Sequence, residues 1–173
     1  MKSNKSQKIR RTIRLKEYDY SNPGWYYVTI CTKNFIRWFG NVKNGKVNYN
    51  TFGNIACKYF EEIPKHFEII ELDYFVIMPN HIHGIIIIND SVGTRDRVSL
   101  RQFGGTVKNS LSLIINQYKG SVTRFANKNG YQDFAWQSRF YDHIIRNDKD
   151  LHRIRTYIQN NPLKWELDEY YNS

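Results

Sequence analysis

Runs of β-branched and aromatic residues, separated by turn residues, mark the strands of this 173-residue chain. The first run covers residues 24–32 and follows the turn signal Asn22-Pro23-Gly24. Residues 67–78 and 81–89 form two further runs with a very short connection between them, and residues 137–146 form a later one. Because β-branched and aromatic side chains suit the pleated surface of a sheet, the pattern predicts four strands.

A hairpin and a helix are predicted between the first two of these strands. The dipeptide Asn44-Gly45 favours a tight hairpin turn, because both residues tolerate positive φ. Thr51 is predicted to cap a helix that continues to about residue 65. Ile55, Tyr59 and Ile63 are spaced by four and would share one face of that helix.

Two more helices are predicted in the second half of the chain. Ser99 is expected to cap the first of them, and residues 127–130 are expected to form a loop after it. The apolar positions of this helix are Leu100, Val107, Leu111, Ile114, Ile115 and Tyr118. Asp148 is expected to cap the last helix, from residue 149 to about residue 160. Pro162 ends it, because proline disfavours helical geometry in the residue before it.

The order of elements predicts the fold class. Strand, hairpin, helix, strand pair, helix, strand and helix follow one another, with tight antiparallel connections. Such a mixed order is typical of an α+β protein, in which helices cover an antiparallel sheet, and the nearest named architecture is the ferredoxin-like split βαβ. The length suits one domain. We expect a basic N-terminal arm at residues 1–16 and a single domain at residues 17–173.

Composition and charge narrow the range of functions that the chain could have. A hydrophobic content of 40% argues against disorder, and the formal net charge is +10. No apolar run approaches the ~18–20 residues of a membrane span, and the start of the chain lacks an apolar signal segment, so a cytoplasmic protein is expected. Seven basic residues precede the first acid, Glu17, and they are Lys2, Lys5, Lys8, Arg10, Arg11, Arg14 and Lys16. This arm favours nucleic-acid binding, although a solubilising tail would look the same.

Two of the five histidines stand one residue apart at the head of an isoleucine-rich strand. Because side chains alternate along a strand, His81 and His83 would project from the same face. Two imidazoles on one face can bind a single metal ion. A single histidine near a strand end is usually a packed ring with a satisfied hydrogen bond, but a pair on one face favours a metal site.

A second pair of polar residues lies at the end of the last predicted helix. Tyr157 and Asn161 are four residues apart and would share a helical face. An amide oxygen is a suitable ligand for a hard divalent cation, and the phenol would then lie beside the metal. Spacing alone favours the ordinary interpretation, in which Tyr157 packs on the sheet and Asn161 ends the helix before proline.

Three segments together resemble one family. Residues 78–83, Met-Pro-Asn-His-Ile-His, are similar to the His-hydrophobic-His signature of the single-tyrosine HUH transposases. The opening segment, residues 14–32, and the closing segment, residues 136–162, resemble the REP-associated tyrosine transposases, a branch related to the transposases of the smallest bacterial insertion sequences. The resemblance spans roughly residues 14–165, with the motifs in the family's order. It implies the HUH-endonuclease type of ferredoxin-like fold.

The resemblance also implies roles for individual residues. His81 and His83 match the paired metal ligands, Asn161 the third ligand and Tyr157 the nucleophile. Tyr141 lies in the more conspicuous motif but falls in the strand before the helix, so Tyr157 is the expected nucleophile. The implied cofactor is Mg²⁺ or Mn²⁺. The implied reaction is cleavage and joining of single-stranded, hairpin-containing DNA through a 5′-phosphotyrosine intermediate.

Several questions stay open at this point. The candidate DNA-binding residues are Arg10, Arg11, Arg14 and Lys16 in the arm, with Arg139, Arg146, Lys149, Arg153 and Arg155 as weaker candidates. A non-catalytic nucleic-acid-binding domain derived from a transposase is the main alternative. A metalloenzyme for small molecules fits less well, because residues 85–88 lack the acid that cupin-like sites place after the histidine pair. Monomer and homodimer are both compatible with the sequence.

Overall fold

A computed structural model of the protein describes residues 19–90 and 110–171. The strands are β1 (Gly24–Cys31), β2 (Gly40–Lys43), β3 (Lys46–Tyr49), β4 (Ile70–Ile77), β5 (His81–Ile88) and β6 (Tyr141–Ile145). The helices are α1 (Thr51–Glu61), α2 (Ile63–His66), α3 (Leu111–Lys128) and α4 (Asp148–Asn160), together with 3-10 helices at Lys33–Phe35 and Pro162–Leu167.

The main sheet has the strand order β4-β5-β1-β6, and every neighbouring pair is antiparallel. The chain passes from β1 through α1 to β4, and β5 then inserts between those two strands, which is the split βαβ arrangement. The hairpin β2-β3 forms a separate ribbon with Asn44 and Gly45 at its turn, both at positive φ. The predicted α+β, ferredoxin-like fold is therefore confirmed.

The two faces of the sheet have different partners. Side chains at even positions of β1 and β5 join the main core with α1 and α3. The opposite face packs against α4 through a smaller cluster of Tyr27, Ile85, Ile145, Ile154 and Ile158. All eight residues of β5 are buried, which explains its unbroken isoleucine run. Its two histidines occupy the α4 face.

The caps of α1 and α4 each lie one residue earlier than predicted. The Asn50 side chain accepts a hydrogen bond from Gly53 N at 2.8 Å, so Asn50, and not Thr51, caps α1. Asn147 caps α4 in the same way through Asp150 N at 2.9 Å, so the prediction of Asp148 is wrong. Both asparagines have the extended backbone that a cap requires.

The helix that was predicted to run on from Ser99 is not continuous through Ser110. Ser110 has an extended backbone and accepts a hydrogen bond from Leu113 N, so α3 starts at Leu111 and the predicted continuous helix is wrong. It ends at Lys128, two residues into the predicted loop. The predicted positions Ser99, Leu100 and Val107 lie outside the described residues.

The buried face of α1 also differs from the predicted one. Phe52, Ala56 and Phe60 are fully buried, whereas Ile55 and Tyr59 are only partly buried at its side. The helix stops at Glu61, and the short α2 carries the remaining predicted turn. No helix within residues 19–90 and 110–171 is long and apolar enough to cross a membrane.

Candidate active site

The two histidines lie side by side at the start of β5. His81 pairs with Cys31 and His83 with Thr29 across the β1-β5 ladder. Both side chains are completely buried, at 0% and 1% exposure, and their ring centroids are 4.5 Å apart. The predicted same-face arrangement is therefore present in the structure.

The tautomer of His81 follows from its neighbour Asn80. The Asn80 amide nitrogen donates to Phe35 O at 3.0 Å and to Tyr170 O at 2.8 Å, which leaves its Oδ1 as an acceptor. That oxygen lies 2.8 Å from His81 Nδ1, so Nδ1 carries the proton. Nε2 then presents a lone pair, and among the described residues it is buried without a hydrogen-bond partner.

Two hydroxyl groups hold the other histidine. His83 Nδ1 lies 2.8 Å from the Tyr27 hydroxyl and 3.0 Å from the Thr29 hydroxyl. Each hydroxyl oxygen can accept a hydrogen bond from Nδ1–H, and with the proton on Nδ1 the Nε2 lone pair is available to bind a cation. Sequence reasoning assigned no role to Tyr27, Thr29 or Asn80, although alternation along β1 places the first two beside His83.

Burial keeps both imidazoles neutral. It lowers the pKa of His83 to about 3. Burial, followed by the neighbouring His83, holds the pKa of His81 well below its usual range. Burial also raises the pKa of the Tyr27 phenol, which stays protonated. Neutral imidazoles at neutral pH are the form that binds metal ions.

The structure brings Tyr157 into contact with this pair. Its hydroxyl oxygen lies 3.3 Å from His83 Nε2, and the two rings are 5.1 Å apart. The side chain is 42% exposed, so a large substrate can reach it. Tyr141 is similarly exposed, at 39%, but packs edge-on against Tyr27 with a centroid distance of 6.1 Å. The geometry thus favours Tyr157 over Tyr141 as the group beside the histidines.

Asn161 lies at the end of α4, buried beside His81. Its amide nitrogen donates to Asp168 Oδ2 at 2.6 Å, while its Oδ1 is buried without a hydrogen-bond partner among the described residues. Ligand atoms of His81, His83 and Asp168 all lie within 4.8 Å of one another. Sequence reasoning missed Asp168, because no periodicity links it to the histidines.

These donors fit a divalent cation. Two buried groups on different elements, His81 Nε2 and Asn161 Oδ1, find no hydrogen-bond partner within residues 19–90 and 110–171, which is costly unless something binds them. Imidazole nitrogen with amide or carboxylate oxygen is a donor set that Mn²⁺ and Mg²⁺ accept. The site therefore has a group of side chains that could hold a metal ion.

The predicted DNA-binding arginines are only partly described. Arg10, Arg11, Arg14 and Lys16 lie outside the described residues. Arg139, Arg146, Lys149 and Arg153 are exposed, and Arg153 donates to Asp150 at 2.6 Å. Arg155 is paired with Asp73 at 2.8 Å and stacks between Trp25 and Tyr74, which ties α4 to the sheet.

Comparison with known proteins gives a consistent result. No family model matches the chain. A Haemophilus influenzae protein named "Uncharacterized protein" is 40% identical over 168 residues, which cover 94% of this chain and 93% of the relative. A second Haemophilus influenzae protein, "Putative REP-associated tyrosine transposase", is 28% identical over 149 residues, 84% of this chain and 74% of the relative.

Among solved structures, a REP-associated tyrosine transposase bound to a REP hairpin has the same fold. The TM-score is 0.57 with 18% identity, over 90% of this chain and 76% of that one. The chain is similar in sequence to the putative REP-associated tyrosine transposase and in fold to the hairpin-bound one, and it belongs to one family with the Haemophilus influenzae protein that it matches over nearly its whole length.

Proposed function

We propose that this transposase-like protein is a metal-dependent endonuclease and strand transferase for single-stranded, hairpin-containing DNA, with Tyr157 as its nucleophile. One observation carries the proposal. An exposed tyrosine hydroxyl lies 3.3 Å from a buried imidazole nitrogen, beside a second imidazole whose Nε2 has no partner among the described residues. This is the combination that a nucleophile next to a cation site requires.

The covalent step is a transesterification. The Tyr157 oxygen forms a bond to the scissile phosphorus, and the bond from that phosphorus to the 3′ oxygen of the preceding nucleotide breaks. The phenol loses its proton to solvent and the leaving oxygen gains one, so a 5′-phosphotyrosine and a free 3′-hydroxyl result. A second 3′-hydroxyl reverses these steps and joins DNA. Because the number of phosphoester bonds is conserved, no external energy source is needed.

The chain's own residues prepare this step. Tyr27 and Thr29 orient the His83 ring, and Asn80 orients the His81 ring. With Asn161, the two histidines would hold Mg²⁺ or Mn²⁺. When bound, the cation would supply positive charge to the scissile phosphate. A free phenol has a pKa of about 10 and is therefore protonated at neutral pH. Activation of Tyr157 as a nucleophile would thus depend on its placement beside this positive charge.

Substrate binding rests on charge. The formal net charge of +10 and the exposed Arg139 and Arg146 suit phosphate contacts, which supply most of the affinity for nucleic acid. The structural neighbour was solved with a REP hairpin bound, which supports hairpin DNA as the substrate class to test first.

A labelled-oligonucleotide assay tests the proposal. Single-stranded hairpin DNA from the flanks of the gene is incubated with the protein, with and without Mn²⁺, and separated on denaturing gels. A 3′-end label should move into a protein band and a 5′-end label should not, because the tyrosine keeps the downstream fragment.

The matched variants are Tyr157→Phe and Tyr141→Phe, which remove one hydroxyl each from side chains of similar exposure. Tyr157→Phe should bind the hairpin normally and give no adduct, whereas Tyr141→Phe should still give one. Cleavage by Tyr157→Phe at the wild-type rate would show that the nucleophile is another residue. Hairpin binding without any adduct, in wild type as well, would favour the non-catalytic DNA-binding module.

A further inference from the structure

The Asn161–Asp168 hydrogen bond decides which way the Asn161 amide points. A carboxylate only accepts hydrogen bonds, so at 2.6 Å from Asp168 Oδ2 the Asn161 atom must be the NH₂ nitrogen. The amide oxygen is then directed away from Asp168. Without this partner, the amide group could rotate and exchange the positions of its oxygen and nitrogen, because the two ends are similar in shape.

The oxygen that Asp168 turns away is one of the partnerless buried atoms of the site. Asn161 Oδ1 and His81 Nε2 belong to neighbouring side chains, but with the His81 proton on Nδ1 neither atom has a hydrogen to donate to the other, and both lack a hydrogen-bond partner among the described residues. Both atoms are lone-pair donors. An inverted amide would instead present N–H hydrogens to the site, which no cation accepts.

Asp168 is itself held in place. Its Oδ1 accepts from Tyr170 N at 2.8 Å, just after the 3-10 helix Pro162–Leu167. The Tyr170 ring packs 4.5 Å from the His81 ring, and the Tyr170 carbonyl accepts from Asn80. One short C-terminal segment therefore fixes both the His81 tautomer, through Asn80, and the Asn161 amide, through Asp168.

We infer that Asp168 is a positioning residue, which acts through Asn161 to aim the amide oxygen at a divalent cation held with His81 and His83. This inference rests on the proposed metal site. Both Asp168 oxygens accept hydrogen bonds, so the carboxylate is fixed in the orientation that holds the Asn161 amide. Residues that orient metal ligands typically change metal affinity by about 10–100-fold when removed.

Calorimetric titration of the protein with Mn²⁺ alone, without DNA, tests the inference. Asp168→Ala should weaken Mn²⁺ binding by about 10–100-fold. Asp168→Asn keeps an acceptor oxygen for the Asn161 amide and should lose less affinity. Glu166→Ala removes the same charge from an exposed position in the same segment and should bind as wild type. Thermal melts of the metal-free proteins separate lost affinity from lost folding.

The decisive arm is a double-mutant cycle with Asn161→Ala. If Asp168 acts through Asn161, then Asn161→Ala combined with Asp168→Ala should bind Mn²⁺ within about twofold of Asn161→Ala alone. Additive losses, or wild-type affinity in Asn161→Ala, would overturn the inference and make Asp168 a direct ligand. Failure of the wild-type protein to bind Mn²⁺ would instead contradict the proposed metal site.

Discussion

Acidification should destabilise this protein through the buried His83. Burial lowers the pKa of this ring from 6.5 to about 3 in the folded state. Between these values the unfolded chain binds a proton that the folded chain does not, so stability falls as the pH drops through 6.5. Above that pH the ring is neutral in both states and has no effect.

The expected size follows from the shift. Each pH unit below the unfolded pKa costs about 1.4 kcal/mol, so a drop from about pH 7.5 to about pH 5 should remove roughly 2 kcal/mol through His83 alone. The pKa of His81 is also lowered by burial, and its contribution has the same sign. This loss of stability begins at a pH well above the range in which carboxyl groups titrate.

Urea denaturation at the two pH values measures this loss. A chelator is present throughout, because metal binding to neutral imidazoles adds its own pH dependence. His83→Gln cannot take up the proton, so its stability should fall by about 2 kcal/mol less than that of wild type over the same interval. His152→Gln, an exposed histidine on α4, is the control and should behave as wild type. An equal loss in His83→Gln and wild type would show that protonation of His83 does not destabilise the folded protein.

Two further predictions concern folding. Gly84→Ala places a methyl group 2.7 Å from Phe60 Cζ and should cost about 1–3 kcal/mol of unfolding free energy, whereas Gly120→Ala, in the interior of α3, should gain about 0.5–1 kcal/mol. The urea midpoint should therefore fall for Gly84→Ala and rise for Gly120→Ala. A shift of both midpoints in the same direction would contradict the packing of β5 against α1. Asn50→Ala should cost about 1 kcal/mol and Thr51→Ala less than about 0.5 kcal/mol, and equal costs would reverse the cap assignment.

Local rules were sufficient for the sheet and for the histidine pair. Strand alternation places His81 and His83 on one face whatever surrounds them, and the four-residue spacing of Tyr157 and Asn161 needs only a helix. The short connection between β4 and β5 forces antiparallel pairing. These features depend on neighbours in the chain, so a pattern in the sequence predicts them.

The wrong predictions concern positions where two residues or two helix faces are equally favourable locally, and contacts with distant parts of the chain decide between them. Asn50 and Thr51 are both good caps, and only the extended backbone of Asn50 distinguishes them. On α1, Ile55 and Tyr59 repeat with the same spacing as Phe52, Ala56 and Phe60, and packing against the sheet and α3 selects the second set.

Asp168 was missed for a related reason. It reaches Asn161 only because the chain folds back over the site after Pro162. No repeat or motif in the sequence marks such a return.

The proposed function requires that Tyr157 becomes covalently linked to DNA. Trypsin separates the two candidate tyrosines, since residues 156–164 contain Tyr157 alone and residues 140–146 contain Tyr141 alone. After reaction with hairpin DNA and Mn²⁺, nuclease trimming and mass spectrometry should find the nucleotide adduct on the peptide of residues 156–164. An adduct on the peptide of residues 140–146, or cleaved DNA with no adduct on either peptide, would show that Tyr157 is not the nucleophile.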